Sequence, residues 1–138
     1  MKKMLMAALL VAAVSACGSR SEAPGDLNGR WQVQQIAGAS LGEGVEIWFE
    51  IDAQTGAIRG YTGCNDFTAT LSAFGETLAV GAITEADAAC PNDFAATDEA
   101  RFLGVLPSVQ RRIRRGDSLE LLPMTSGSET LVRARLME

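Results

Sequence analysis

The strict alternation of residues 45–52, in which Val45, Ile47, Phe49 and Ile51 share one side and Glu46, Trp48, Glu50 and Asp52 the other, most constrains the fold. A period of two with one apolar side reads as a half-buried antiparallel strand. The turn residues Ala53-Gln54-Thr55-Gly56 follow, and Ile58-Arg59-Gly60-Tyr61 returns the chain as a hairpin. Further strands are read at 30–37, 66–72, 77–83, 109–115, 118–122 and 129–136, about eight in all. Gly116-Asp117 fits a two-residue hairpin turn with glycine first. One segment departs from this pattern. Thr97 is read as a helix cap with Asp98 and Glu99 in the first turn, and Phe102, Leu103 and Leu106 follow at helical spacing. Pro107 is expected to end or bend that helix. With 138 residues, 47% of them apolar, the chain holds one packed domain. The expected class is α+β: an antiparallel sheet curved into a partly open barrel, with one helix packed against it.

The N-terminus reads as an address. Lys2 and Lys3 precede an apolar run of 11 residues from Met4 to Val14, shorter than the roughly 20 that span a bilayer, and small residues follow. This is the pattern of a secretory signal. Val14-Ser15-Ala16-Cys17 resembles the bacterial lipobox. The resemblance implies cleavage before Cys17 and acylation of that cysteine, with Gly18 in second place favouring the outer membrane over the inner. Residues 1–16 are thus expected as signal peptide, 17–26 as lipidated cysteine and flexible tether, and 27–138 as the domain.

Both lysines belong to the signal. The remaining residues hold ten arginines and 17 acids, a formal charge of −7, which speaks against nucleic acid as a partner. The chain has no histidine, so the usual general base near neutral pH and the commonest zinc ligand are both missing. A glycine-rich phosphate loop is also lacking. No cofactor and no metal are expected, nor is a catalytic residue assigned. Cys64 and Cys90 remain as a pair in an oxidising compartment, where a disulfide is the favoured reading and two buried thiols the alternative.

Three features occur in a recognisable order: Leu27-Asn28-Gly29-Arg30-Trp31, then Gly63-Cys64-Asn65, then Ala89-Cys90 ahead of a helix carrying Glu99, Phe102 and Leu106. Gly116-Asp117-Ser118-Leu119-Glu120-Leu121 and Leu131-Val132-Arg133 complete the series. This order resembles the META-domain family, which includes HslJ-like heat-inducible lipoproteins. The resemblance implies a small, partly open barrel with one helix, and an association with heat response, drug tolerance and envelope integrity without an agreed reaction.

Three residues stand out as a binding surface: Trp48 on the polar side of its strand, and Arg112 and Arg114 in the run Arg111-Arg112-Ile113-Arg114-Arg115. Structural roles compete for each, since a lone aromatic is often covered and arginines on a strand alternate sides and pair with acids. The expected function is a non-enzymatic, lipid-anchored envelope protein, a binding or assembly module held to the membrane through Cys17 and meeting an envelope protein partner. A carrier of an apolar ligand in the barrel interior is the second reading. A carboxylate-based hydrolase is the third.

Overall fold

The computed structural model describes residues 24–74, 77–125 and 127–138. The signal segment, Cys17 and residues 18–23 of the tether lie outside the described residues. After a 3-10 turn at Pro24–Leu27 come β1 (Gly29–Ile36), β2 (Ala39–Ser40), β3 (Trp48–Asp52), β4 (Ala57–Tyr61), β5 (Asp66–Phe74) and β6 (Thr77–Glu85). The helix α1 (Asp93–Val105) and a second 3-10 turn (Leu106–Ser108) lead into β7 (Arg111–Arg115), β8 (Ser118–Leu122) and β9 (Val132–Leu136). All pairings are antiparallel, in the order β2-β1-β3-β4-β5-β6-β7-β8-β9, and β1 also pairs with β9. The sheet therefore closes on itself as a ring. Its weak seam lies between β6 and β7, which share only the pair Thr77↔Arg111.

Alternation fills the inside of the ring. Phe49 and Ile51 of β3, Ile58 of β4, Phe67 and Ala69 of β5, Leu119 and Leu121 of β8 and Val132 and Ala134 of β9 are buried. β1 obeys the rule through a defect. Trp31 and Val33 point inward, the pairing with β9 shifts between Val33 and Gln35, and the shift returns Ile36 to the core. Phe102 of α1, fully buried, lies 6.3 Å from Phe49 and 5.6 Å from Phe67 between ring centroids, so the helix packs on the core made by β3 and β5. Gly60 makes room there, since a Cβ at this position would stand 2.6 Å from Phe67 Cε1 and 2.3 Å from the Trp48 carbonyl.

The expected α+β class with a curved antiparallel sheet and one helix holds, while several limits move. Residues 45–47 and 129–131 fall outside strands, and β2 had no signal in the sequence. The helix begins at Asp93, capped by the Asn92 side chain, which accepts from Ala95 N at 2.9 Å. Thr97 is therefore no cap but an exposed residue within α1, and Asp98 is buried in the middle of the helix. Pro107 lies in the 3-10 turn just beyond α1, where the sequence places the end. No helix among the described residues is long and apolar enough to cross a membrane.

The interior is not the open one that an apolar-ligand carrier needs. Leu27, Leu78, Phe102, Leu106, Val109 and their neighbours leave a cavity of ≈ 20 Å³, whereas ligand pockets measure roughly 300–1,000 Å³. The small strand residues face outward or are compensated by large ones opposite. Ala79 and Ala82 are exposed, while Phe49, Phe67 and Phe102 fill the centre.

Candidate functional site

The densest polar cluster sits where β4 turns into β5. Gly63 takes a φ of 95°, open to glycine and costly for other residues, and the turn closes with Thr62 N donating to the Asn65 carbonyl at 2.9 Å. Thr62 is fully buried. Its hydroxyl accepts from Asn65 N at 2.9 Å and Cys64 N at 3.3 Å, and donates to Glu99 Oε2. Asn65, 5% exposed, donates from Nδ2 to the same Glu99 oxygen at 3.0 Å and to the Ala88 carbonyl at 3.1 Å, while its Oδ1 accepts from Ala88 N at 2.7 Å. Tyr61 adds a hydrogen bond from its hydroxyl to the Gly63 carbonyl at 3.1 Å.

Beside this network Cys64 and Cys90 form a disulfide with their Cα atoms 4.7 Å apart. Of the two readings open in the sequence, the structure takes the bridge. Cys90 Sγ lies 3.7 Å from Glu99 Oε1, a contact and not a hydrogen bond, because a bridged sulfur carries no proton. Cys64, Cys90 and Glu99 gather their side-chain atoms within 4.8 Å of one another. The oxidised sulfurs offer no thiolate to a metal.

A second cluster fastens the other side of α1. Asp98, 3% exposed, accepts from Gly42 N at 2.6 Å and pairs with Arg101 at 3.1 Å, and Arg101 donates to the Ile36 carbonyl at 2.6 Å. Asp98 and Glu99, consecutive in α1, thus tie one turn of the helix to Gly42 after β2 and to Thr62 and Asn65 in the β4–β5 turn.

The proposed surface residues part company. Arg112 is not on the surface: its side chain is 4% exposed and pairs with Asp26. It shares the inner side of β7 with Arg114, opposite Leu121 and Leu119. Arg114 is half-buried, its guanidinium 5.1 Å from the centre of the Trp31 ring, and Nε donates to the Gly116 carbonyl at 3.0 Å. Trp48 stands on the outer side, half-covered by the Arg30 guanidinium at 4.2 Å. Arg30 and Arg59 both pair with Glu50, at 3.1 Å and 2.7 Å. The Arg59 and Arg30 hydrogen bonds hold the Glu50 carboxyl below the usual glutamate range. Asp52 is lowered in the same way by the backbone amides of Gln54 and Thr55. The structure does not bring Trp48, Arg112 and Arg114 together, since β3 displays one outward and β7 turns the others inward.

Sequence reading passed over Thr62 and the role of Glu99. Their partners lie 37 and 34 residues away in the chain, Thr62 to Glu99 and Asn65 to Glu99, so no local spacing signals them. The true helix start did leave a signal, Asn92-Asp93, a capping residue followed by an acid in the first turn.

The META domain family matches residues 25–138. No curated protein matches the chain. Among solved structures, one determined by NMR for a protein from Burkholderia xenovorans is 17% identical, with a TM-score of 0.66 and coverage of 100% of both chains. A second NMR structure is 14% identical with a TM-score of 0.63 over 82% of this chain and 93% of the other. At these identities the likeness is one of fold. The family match spans the whole ring, the Cys64–Cys90 bridge and the helix, and the chain belongs to the META-domain family.

Proposed function

We propose that this META domain is a non-enzymatic, lipid-anchored module of the bacterial cell envelope, working by binding or assembly through its outer surface. One observation carries the reading: the interior is filled down to a cavity of ≈ 20 Å³, so a substrate or acyl chain has no room beside the core. The polar groups that chemistry would need, Thr62, Asn65 and Glu99, spend their hydrogen bonds on one another and on Ala88. Recognition is left to the outer side, where Trp48, Arg30, Glu50 and Arg59 form one contiguous polar and aromatic patch.

The lipobox at Val14-Ser15-Ala16-Cys17 supplies the address. Acyl chains on Cys17 hold the domain to a membrane by burial of methylenes, and Gly18 directs it to the outer membrane, facing the periplasm. There the module serves envelope maintenance under heat or drug stress. Fractionation of cells expressing the full chain tests the anchor. Cys17→Ala should move the protein from the membrane to the soluble fraction, and a variant that stays with the membrane overturns the anchored reading.

A further inference from the structure

Glu99 spends only half of its carboxylate on the network beside the bridge. Oε2 accepts from Thr62 and Asn65, while no hydrogen-bond donor among the described residues meets Oε1, which lies 3.7 Å from the bridged Sγ of Cys90. The two donors fix the orientation of the carboxylate, as outer partners do for one that ligates a metal. Three separate elements supply the groups that meet here. The β4–β5 turn brings Cys64, the segment ahead of α1 brings Cys90, and α1 brings Glu99, with their side-chain atoms within 4.8 Å of one another.

While the bridge stands, its sulfurs are bonded to each other and ligate nothing. A dithiol that exchanges with it passes on two electrons and two protons: the bond between Cys64 and Cys90 breaks, both become thiols, and the dithiol leaves as its own disulfide. Two sulfurs and a held carboxylate oxygen then face one another. That donor set suits Zn2+, which accepts thiolate and carboxylate together. Tetrahedral zinc, with bonds of about 2.3 Å to sulfur and about 2.0–2.2 Å to oxygen, sets neighbouring ligand atoms roughly 3.5–3.8 Å apart. Cys90 Sγ and Glu99 Oε1 already stand at 3.7 Å, so only the two sulfurs have to part, and after reduction no bond holds them. Cys90 and Glu99 are partly exposed whereas Cys64 is buried, which leaves the ion an entry and water the fourth position.

We propose that this corner is a redox-gated zinc site: the reduced chain binds one Zn2+ through Cys64, Cys90 and Glu99 and releases the two thiol protons. A disulfide oxidant reverses the step, taking two electrons from the thiolates and two protons from solvent as the bridge re-forms and the ion leaves. Bridge and ion are alternative ties between the β4–β5 turn and the segment leading into α1. Acylation of Cys17 does not bear on the site.

Zinc binding by the full chain carrying Cys17→Ala tests the site, since both remaining cysteines then belong to the bridge. After reduction by a phosphine, which spares zinc where a dithiol would compete for it, the chain should take up one Zn2+ and release about two protons. The unreduced chain should bind at least roughly 100-fold more weakly. Glu99→Gln keeps an acceptor for Thr62 and Asn65 but turns an amide NH2 toward the sulfurs, and should weaken zinc binding roughly 100-fold while the bridge still forms. Co2+ in place of zinc should give the strong visible bands of a tetrahedral thiolate site. Circular dichroism follows the fold: if reduction unfolds the chain, zinc should refold it, and Glu99→Gln should then need roughly 100-fold more zinc. No uptake by the reduced chain, equal uptake by the unreduced chain, equal uptake by Glu99→Gln as for thiols of an unfolded chain, or the weak bands of six-coordinate cobalt would each overturn the proposal.

Discussion

Asn65 pairs with Ala88 as one strand residue pairs with another: Nδ2 donates to the Ala88 carbonyl at 3.1 Å while Oδ1 accepts from the Ala88 amide at 2.7 Å. The side chain extends the β5–β6 ladder beyond its last backbone bond, Ala86 N to the Asp66 carbonyl at 3.0 Å. Cys90 is thereby led to Cys64. Asn65→Asp keeps the shape but turns the Nδ2 donor into an acceptor facing the Ala88 carbonyl and the Glu99 carboxylate. It should lower stability by about 2–3 kcal/mol in urea unfolding at neutral pH, with part of the loss recovered by Glu99→Gln. A loss below about 0.5 kcal/mol would show that the amide pairing carries no weight.

The bridge closes the chain between residues 26 apart, for which the chain-entropy model gives roughly 3 to 4 kcal/mol. Cys64→Ser with Cys90→Ser should lower the unfolding free energy measured in urea by that much, and a reductant should do the same to the unaltered protein. Non-reducing peptide mapping gives the direct check, joining the peptides of Cys64 and Cys90. Because the bridge and Asn65 hold the same segment, the triple variant should lose less than the two losses added.

The sheet was legible where one side of each strand is apolar without interruption, as in Phe49 and Ile51 or Leu119 and Leu121. The helix start was legible only at its cap, Asn92-Asp93. Residues 85–96 are mostly alanine and polar, so no apolar period marks the first turn, and Thr97 imitates a cap in a segment already helical. Arg112 was misread for a related reason. A strand reading Arg-Arg-Ile-Arg-Arg has no apolar side to point inward, and the acid that makes its burial tolerable, Asp26, lies 86 residues earlier. The bridge was legible from residue type and the compartment that the N-terminal segment leads one to expect, but the Thr62–Asn65–Glu99 network beside it depends on a helix meeting a turn, which spacing along the chain does not record.

Glu99 separates geometry from charge. Both Thr62 and Asn65 donate to its Oε2, and an amide oxygen can accept the same two bonds. Glu99→Gln should cost less than about 1 kcal/mol, whereas Glu99→Ala, which leaves two buried donors unmet, should cost about 2–3 kcal/mol. Complementation of a strain lacking the protein gives the second readout. If Glu99→Gln is stable but fails to complement, the carboxylate has a chemical use and the non-enzymatic reading falls.

Arg112 and Arg114 neighbour each other on one side of β7, yet their truncation should differ. Arg112→Ala removes a side chain that is 4% exposed and strands Asp26, whose side chain is 24% exposed. Because Asp26 keeps some water, the loss should be about 2 kcal/mol and not the 3–5 of a fully buried pair. Arg114→Ala gives up a contact with Trp31 and one bond to a turn carbonyl, for about 1 kcal/mol. Thermal or urea unfolding of the two variants measures the order, and equal losses would deny Arg112 its structural role.

Acid should loosen the β1–β3–β4 side of the ring first. Glu50 is held below its ordinary value of 4.5 by hydrogen bonds from Arg59 and Arg30, and Asp52 below 3.8 by the amides of Gln54 and Thr55. Each carboxylate is therefore more acidic folded than unfolded, so its contribution is fully present above the unfolded value and fades as the pH falls through the folded one. The urea midpoint should be level from pH 7 to about pH 5 and then fall. Glu50→Gln should flatten the fall, since both arginines lose their ionised partner at every pH. Since Arg30 also covers Trp48 at 4.2 Å, the same titration is expected to shift Trp48 fluorescence. A fall in midpoint that Glu50→Gln leaves unchanged would assign the acid sensitivity to other carboxylates.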